Sequence, residues 1–156
     1  MIKKIFILIT LVSFYNIFSQ KITKLEFHHS NVIIPFSSIN ILFEPIKNNK
    51  KGKIRVKVKM NRDEEYHLRI SKEKFVNIYN ACSKIKYDTA AVKGYFLDPS
   101  STDITLTDSL GNKKFYYADG LSRRSQKDKQ QSDFWYATTL IVKAARLEME
   151  DLIDYR

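Results

Sequence analysis

The chain has 156 residues, of which 44% are hydrophobic and 13% aromatic, and its formal net charge is +10 at pH 7. This size and composition predict one folded domain and exclude a disordered tail. Cys82 is the only cysteine, so an intramolecular disulfide is excluded. Residues 20–93 contain 16 Lys and Arg against 7 Asp and Glu, whereas residues 94–156 contain 9 against 10. This uneven distribution indicates a basic surface.

The N-terminus has the pattern of an export signal. Lys3 and Lys4 precede an apolar stretch at residues 5–18, and the small residue Ser19 follows it. As a helix the stretch would span about 21 Å, short of the hydrocarbon core of a bilayer. We therefore expect a signal peptide at residues 1–19 and one mature domain at 20–156 with no stable membrane span. A retained anchor and a buried helix are the alternatives. The predicted location is the periplasm of a Gram-negative-like envelope, or outside the cell.

Three apolar segments predict the first strands of the mature chain. Alternation in the first segment places Leu25, Phe27 and His29 on one side, and Pro45 ends the third. The segments are residues 22–29, 31–35 and 39–43.

Residues 53–70 contain the clearest strand pattern. Apolar residues alternate with basic ones from 53 to 60, and a similar alternation resumes from 66 to 70. This predicts an antiparallel hairpin with a turn at 61–65 and with Met60 opposite Tyr66.

The period then changes at Ser71, which we expect to cap a helix. Residues 87–101 are predicted to be irregular, and residues 104–107 and 113–118 to form a second hairpin. A polar loop at 118–131 leads to a last helix capped by Ser132. The predicted fold class is α+β: a mostly antiparallel sheet of five to six strands with two helices packed on one face. The inner face of the first helix is predicted at Phe75, Ile78, Tyr79, Cys82 and Ile85, and that of the last at Phe134, Thr138, Ile141, Ala145, Met149 and Leu152.

The polar side of the first hairpin is the main candidate binding surface. We expect it to contain no acidic residue and to recognise an acidic protein or an anionic polymer. The alternative is that these residues only keep the strands soluble. Nucleic acid is disfavoured as a partner because no aromatic side chain is expected on this side. The candidate residues are Lys53, Arg55, Lys57, Lys59, His67 and Arg69.

Two aromatic clusters are candidate interface anchors. Strand alternation makes Tyr116 point away from Phe115 and Tyr117, and we expect Tyr116 and Trp135 to contact a partner. The alternative is that these rings cover a sheet edge.

Neither a metal site nor a cofactor is predicted. Adjacent His28 and His29 should point to opposite faces of a strand, so they cannot readily bind one ion. The S-x-x-K matches at Ser71 and Ser83 lack the companion motifs of penicillin-binding enzymes, and Cys82 is expected in the core. No Gly-rich phosphate loop occurs.

The acidic residues of the second half could serve hydrolysis or only local turns. No catalytic residue is therefore assigned, and whether the protein is an enzyme stays open. The acidic residues considered for hydrolysis are Asp98, Asp103, Asp108 and Asp119.

These features favour a small exported, non-enzymatic binding protein. In overall plan it resembles periplasmic immunity or inhibitor proteins that neutralise toxic enzymes. This resemblance covers architecture alone and assigns no residue. The alternatives are an envelope-polymer hydrolase using acids such as Asp98 and Asp119, and a structural envelope component.

Overall fold

A computed structural model describes residues 22–31, 38–46, 49, 51–61, 64–86, 89–91, 100–129 and 131–152. Seven strands and two α-helices form the structure in these ranges. The strands are β1 (Ile22–Ser30), β2 (Ser38–Pro45), β3 (Ile54–Met60), β4 (Glu64–Ile70), β5 (Thr89–Ala91), β6 (Ser101–Asp108) and β7 (Lys113–Asp119). The helices are α1 (Lys72–Ser83) and α2 (Ser132–Ala144), with short 3₁₀ helices at Arg123–Gln126 and Met149–Asp151.

The strands form one sheet in the order β4-β3-β2-β1-β6-β7-β5. All neighbours are antiparallel except β5, which runs parallel to β7. The α+β class and the predominantly antiparallel sheet are thus confirmed. Both predicted hairpins form, as β3–β4 and β6–β7.

Alternation along the strands places one face of the sheet in the core. Leu25, Phe27, Ile41 and Phe43 are fully or almost fully buried, and the intervening residues of β1 and β2 are not. The helices cover this face, and Phe43 on β2 lies 6.2 Å from Phe75 on α1, measured between ring centroids. Within the described ranges, no helix packs on the other face of the sheet. We call it the open face.

Helix α1 begins as the sequence predicts. The Ser71 hydroxyl accepts a hydrogen bond from the Lys74 backbone N–H at 3.1 Å, which satisfies one of the free donors of the first turn. Phe75, Ile78 and Cys82 are buried. Burial raises the pKa of the Cys82 thiol to about 12, so this cysteine is a core residue with little reactivity.

Helix α2 differs from the prediction at both ends. Gln131, not Ser132, occupies the N-cap position, and it makes no side-chain capping bond. The helix ends at Ala144 because Arg146 adopts a left-handed conformation, with φ of 64°. Leu152 still reaches the core from the turn that follows. None of the helices within the described ranges is long and apolar enough to cross a bilayer.

The predicted strand at 31–35 falls mostly outside the described residues. The segment 87–101, predicted to be irregular, contains β5 and the first residue of β6. Three residues are too few for period-two alternation to be recognised, so β5 gives no sequence signal.

Candidate functional site

The open face is the side of the sheet that the two described helices leave uncovered. Strand pairing aligns its side chains in rows that run across the strands. The row through the middle of the face comprises Glu65, Lys59, Asn40, His28, Asp103 and Tyr117, in order from β4 to β7.

The basic residues of the first hairpin lie on this face, in a register that differs from the predicted one. Lys57 pairs with His67, and Met60 pairs with Glu64. The predicted pairing of Met60 with Tyr66 is therefore wrong by two residues. Strand β4 begins at Glu64, so the turn is shorter than the predicted one. Lys53 is exposed and lies immediately before β3.

The prediction that this surface contains no acid is also wrong. Glu65 bridges Lys57 and His67, at 3.0 Å and 3.3 Å. Its hydrogen bond with Lys57 holds the pKa of Glu65 below its usual value. Glu44 on β2 forms an ion pair with Arg55 at 3.2 Å. The shorter turn brings Glu65 onto this face, and the pairing of β2 with β3 adds Glu44.

Three of the candidate basic residues form no ion pair within the described part of the chain. They are Lys53, Lys59 and Arg69. This surface therefore keeps a positive charge, which is concentrated at these residues.

The prediction that Tyr116 is an exposed anchor is wrong. Its side chain is 0% exposed, whereas Phe115 is 52% exposed. Tyr116 pairs with the buried Ile104 of β6, and this pairing turns it toward the helices. Strand alternation correctly separates Tyr116 from Phe115 and Tyr117. It does not indicate which face of β7 points to the core.

The aromatic pair on the open face is therefore Phe115, which is exposed, and Tyr117, which is half-buried. Their rings stack on the open face with centroids 6.3 Å apart and an interplanar angle of 18°. The Tyr117 hydroxyl donates a hydrogen bond to the Asp119 carboxylate, which raises the pKa of Tyr117 to about 12. The hydrogen bond to Asp119 thus holds the Tyr117 side chain in position.

The other aromatic cluster lies on α2. Trp135 is half-buried and packs against the core. Its neighbour Tyr136 is 58% exposed. The helix is not part of the open face, so the structure does not bring Trp135 together with the basic residues of the hairpin.

Polar side chains occupy the middle of the open face. His28 Nδ1 and Asn40 Oδ1 are 2.8 Å apart. Burial raises the pKa of the Asp103 carboxyl, the adjacent His28 opposes the rise, and Glu26 adds to it. His29 points into the core, where its Nδ1 lies 2.9 Å from the Thr102 hydroxyl. The prediction that His28 and His29 face opposite sides is confirmed.

A cleft of about 510 Å³ opens on this face; we call it the central cleft. Lys59 and Lys113 contribute cations that have no ion pair in the described ranges. Glu26 lies in its wall and is paired with Lys24 at 2.6 Å. The cleft thus combines an exposed aromatic ring with unneutralised lysines. Its lining includes His28, Lys57, Lys59, Asp103, Lys113 and Phe115.

The candidate hydrolytic acids have different environments. Asp108 caps the β6–β7 turn by accepting hydrogen bonds from the Leu110 and Asn112 backbone N–H groups, at 2.8 Å and 2.9 Å. The Asn112 side chain contributes most to lowering the Asp108 pKa, and these backbone bonds lower it further. Asp98 lies outside the described residues. Among the described residues, no group of three His, Cys, Asp or Glu side chains is arranged to hold a metal ion.

Comparison with known proteins finds no family model that matches the chain, and neither a curated protein nor a solved structure with significant similarity to it.

Proposed function

We propose that this protein is an exported, non-enzymatic binding protein that docks a partner protein on the open face of its sheet. One observation carries the proposal: Phe115 is 52% exposed and stacks on Tyr117 in a sheet face that no helix of the described chain covers. Aromatic residues are enriched at protein interfaces, and two stacked rings form a larger apolar contact than a single exposed side chain.

The charges around the central cleft favour a partner with an acidic contact surface. Lys59 and Lys113 line the cleft together with Phe115 and have no ion pair within the described ranges. A partner carboxylate placed beside an aromatic contact would neutralise them, and such complementarity raises the rate of association. An immunity- or inhibitor-type role, in which an acidic enzyme is bound and blocked, is the form of binding that we propose.

Site-specific photocrosslinking tests the docking surface. The variant Phe115→p-benzoylphenylalanine should crosslink a protein in cells that produce it. The matched control is Tyr136→p-benzoylphenylalanine, because Tyr136 is equally exposed but lies on α2. Adding Lys59→Glu to the first variant should reduce the crosslink, since it reverses a cleft charge.

The proposal fails if the two positions crosslink the same proteins equally. It also fails if Lys59→Glu leaves the yield from position 115 unchanged. The first result would indicate nonspecific contact, and the second would remove the basic residues from the interface.

Export is part of the proposal and has its own measurement. The mass of protein recovered from the envelope fraction should correspond to a chain that begins at Gln20. Recovery of a chain that begins at Met1 from the cytoplasmic fraction would contradict export while leaving the docking surface open to test.

A further inference from the structure

A second cleft, of about 730 Å³, lies at the β4 edge of the sheet; we call it the arginine cleft. Strand β4 is the outermost strand on this side. Among the described residues, none that lines the cleft is acidic and none also lines the central cleft. The lining residues are Arg55, His67, Leu68, Arg69 and Arg146.

Two of these arginines face each other directly. Arg55 on β3 pairs with Arg69 on β4, and like charges in opposite positions on neighbouring strands repel each other. Glu44 forms an ion pair with Arg55, but Arg69 and Arg146 form none in the part of the chain that the structure describes. The positive charge of the cleft is therefore only partly neutralised.

The third arginine comes from the turn after α2, and that turn is fastened to β4. The Tyr66 hydroxyl donates a hydrogen bond to the Ala145 carbonyl at 2.8 Å, one residue before Arg146. The Leu147 N–H donates to the Val142 carbonyl at 3.0 Å. The backbone of Arg146 is thus held on both sides. Burial raises the pKa of the Tyr66 hydroxyl, and the negative charge of Asp151 adds to this rise. The Asp151 carboxylate accepts a hydrogen bond from the Glu148 N–H at 2.9 Å.

The backbone conformation of Arg146 is unusual for its residue type. Its φ of 64° lies in the left-handed region, which glycine adopts without the steric cost that a Cβ imposes. A glycine here would end the helix more favourably. Arginine at this position therefore costs stability and places a guanidinium in the cleft.

We propose that the arginine cleft binds a phosphate or sulfate monoester. Guanidinium groups donate paired hydrogen bonds to such oxyanions. Arginines from β3, β4 and the α2 turn approach from separate elements, which suits a tetrahedral group with oxygens in several directions. The cleft volume leaves room for the molecule that bears the ester. This proposal does not depend on the proposed function, because it involves neither Phe115 nor the central cleft.

The test is to titrate anions into the protein at constant ionic strength and to monitor binding by NMR of the arginine side-chain N–H groups. The probes are inorganic phosphate, inorganic sulfate and acetate, then phosphotyrosine and sulfotyrosine to distinguish the two esters. We expect phosphate or sulfate to bind at least about tenfold more tightly than acetate. A preference between the two amino acid esters identifies the group.

Arg146→Gly is the decisive variant, because it should weaken binding at least about tenfold while leaving the melting temperature unchanged or raising it. Asn61→Gly is the matched control. Asn61 is the other described non-glycine residue with a positive φ, 53°, and it lies in the β3–β4 turn. It should relieve less backbone strain than Arg146→Gly, because asparagine tolerates a positive φ better than arginine does, and it should leave binding unchanged. Arg69→Gln, on an exposed side chain, should weaken binding as Arg146→Gly does.

Either of two results would overturn the proposal. One is unchanged oxyanion affinity in both Arg146→Gly and Arg69→Gln. The other is acetate binding as tightly as phosphate and sulfate, which would indicate only a general attraction for anions.

Discussion

Replacing Tyr116 by alanine is expected to destabilise the protein by about 3–5 kcal/mol, the range for removing a large buried aromatic side chain. Tyr116 is 0% exposed and is one of the largest fully buried side chains in the described core. It lies on β7 opposite Ile104 of β6, which is also fully buried. Alanine would leave a cavity there that the paired strands cannot close. Chemical denaturation followed by circular dichroism measures the change.

The adjacent position supplies the control. Phe115→Ala removes a ring of similar size from the open face, where 52% of the side chain is already exposed. The expected loss of stability is under about 1 kcal/mol, because little apolar area leaves the interior. The opposite order of effects in the two variants would mean that β7 presents its other face to the core. It would also restore Tyr116 as a candidate anchor.

The β7 strand illustrates which properties of this fold are local in sequence. Alternation of side chains is a local property, so the separation of Tyr116 from Phe115 and Tyr117 was predictable. The face that points inward depends on pairing with β6 and on the position of the helices. All three residues are aromatic, so hydrophobicity gives no basis for choosing between the two faces. For β3, hydrophobicity does identify the face that points into the core, because Val56 and Val58 alternate with charged residues.

Register was less predictable than strand position. The alternation predicts the position of the β3–β4 hairpin correctly, but it predicts a longer turn than the structure has. A shift of two residues keeps each side chain on its predicted face, so the alternation stays correct while the neighbours change. The shorter turn places Glu65 in β4 opposite Lys59, where it contacts Lys57 and His67, an arrangement that the sequence pattern did not indicate.

The arginine cleft depends on contacts that are remote in sequence. Arg69 and Arg146 are separated by α1, β5, β6, β7 and α2. They come together because Tyr66 binds the carbonyl of Ala145. A helical pattern that continued from 132 to 152 also concealed the break at Arg146. The sequence contains no glycine or proline at this point, and these are the usual signals that a helix ends.

Phe115→Ala is expected to weaken binding of the partner captured at this position by about 2–4 kcal/mol, or about 30-fold to 1,000-fold in Kd. Phe115 lies at the wall of the central cleft and is supported by Tyr117, which is itself held by Asp119. A ring with such support loses little conformational entropy on binding, so most of its contact energy contributes to affinity. Titration calorimetry with the purified partner gives the change directly.

Two exposed side chains elsewhere on the surface test whether the effect is specific. Leu110 is 80% exposed in the β6–β7 turn, and Tyr136 is 58% exposed on α2. Alanine at either position should change Kd by less than about threefold, because single exposed apolar residues are common on protein surfaces without binding anything. Equal losses in all three variants would assign the affinity to general hydrophobic contact. A loss confined to Phe115→Ala would instead place the partner on the open face, because Tyr136 lies on the helix layer that covers the opposite side of the sheet.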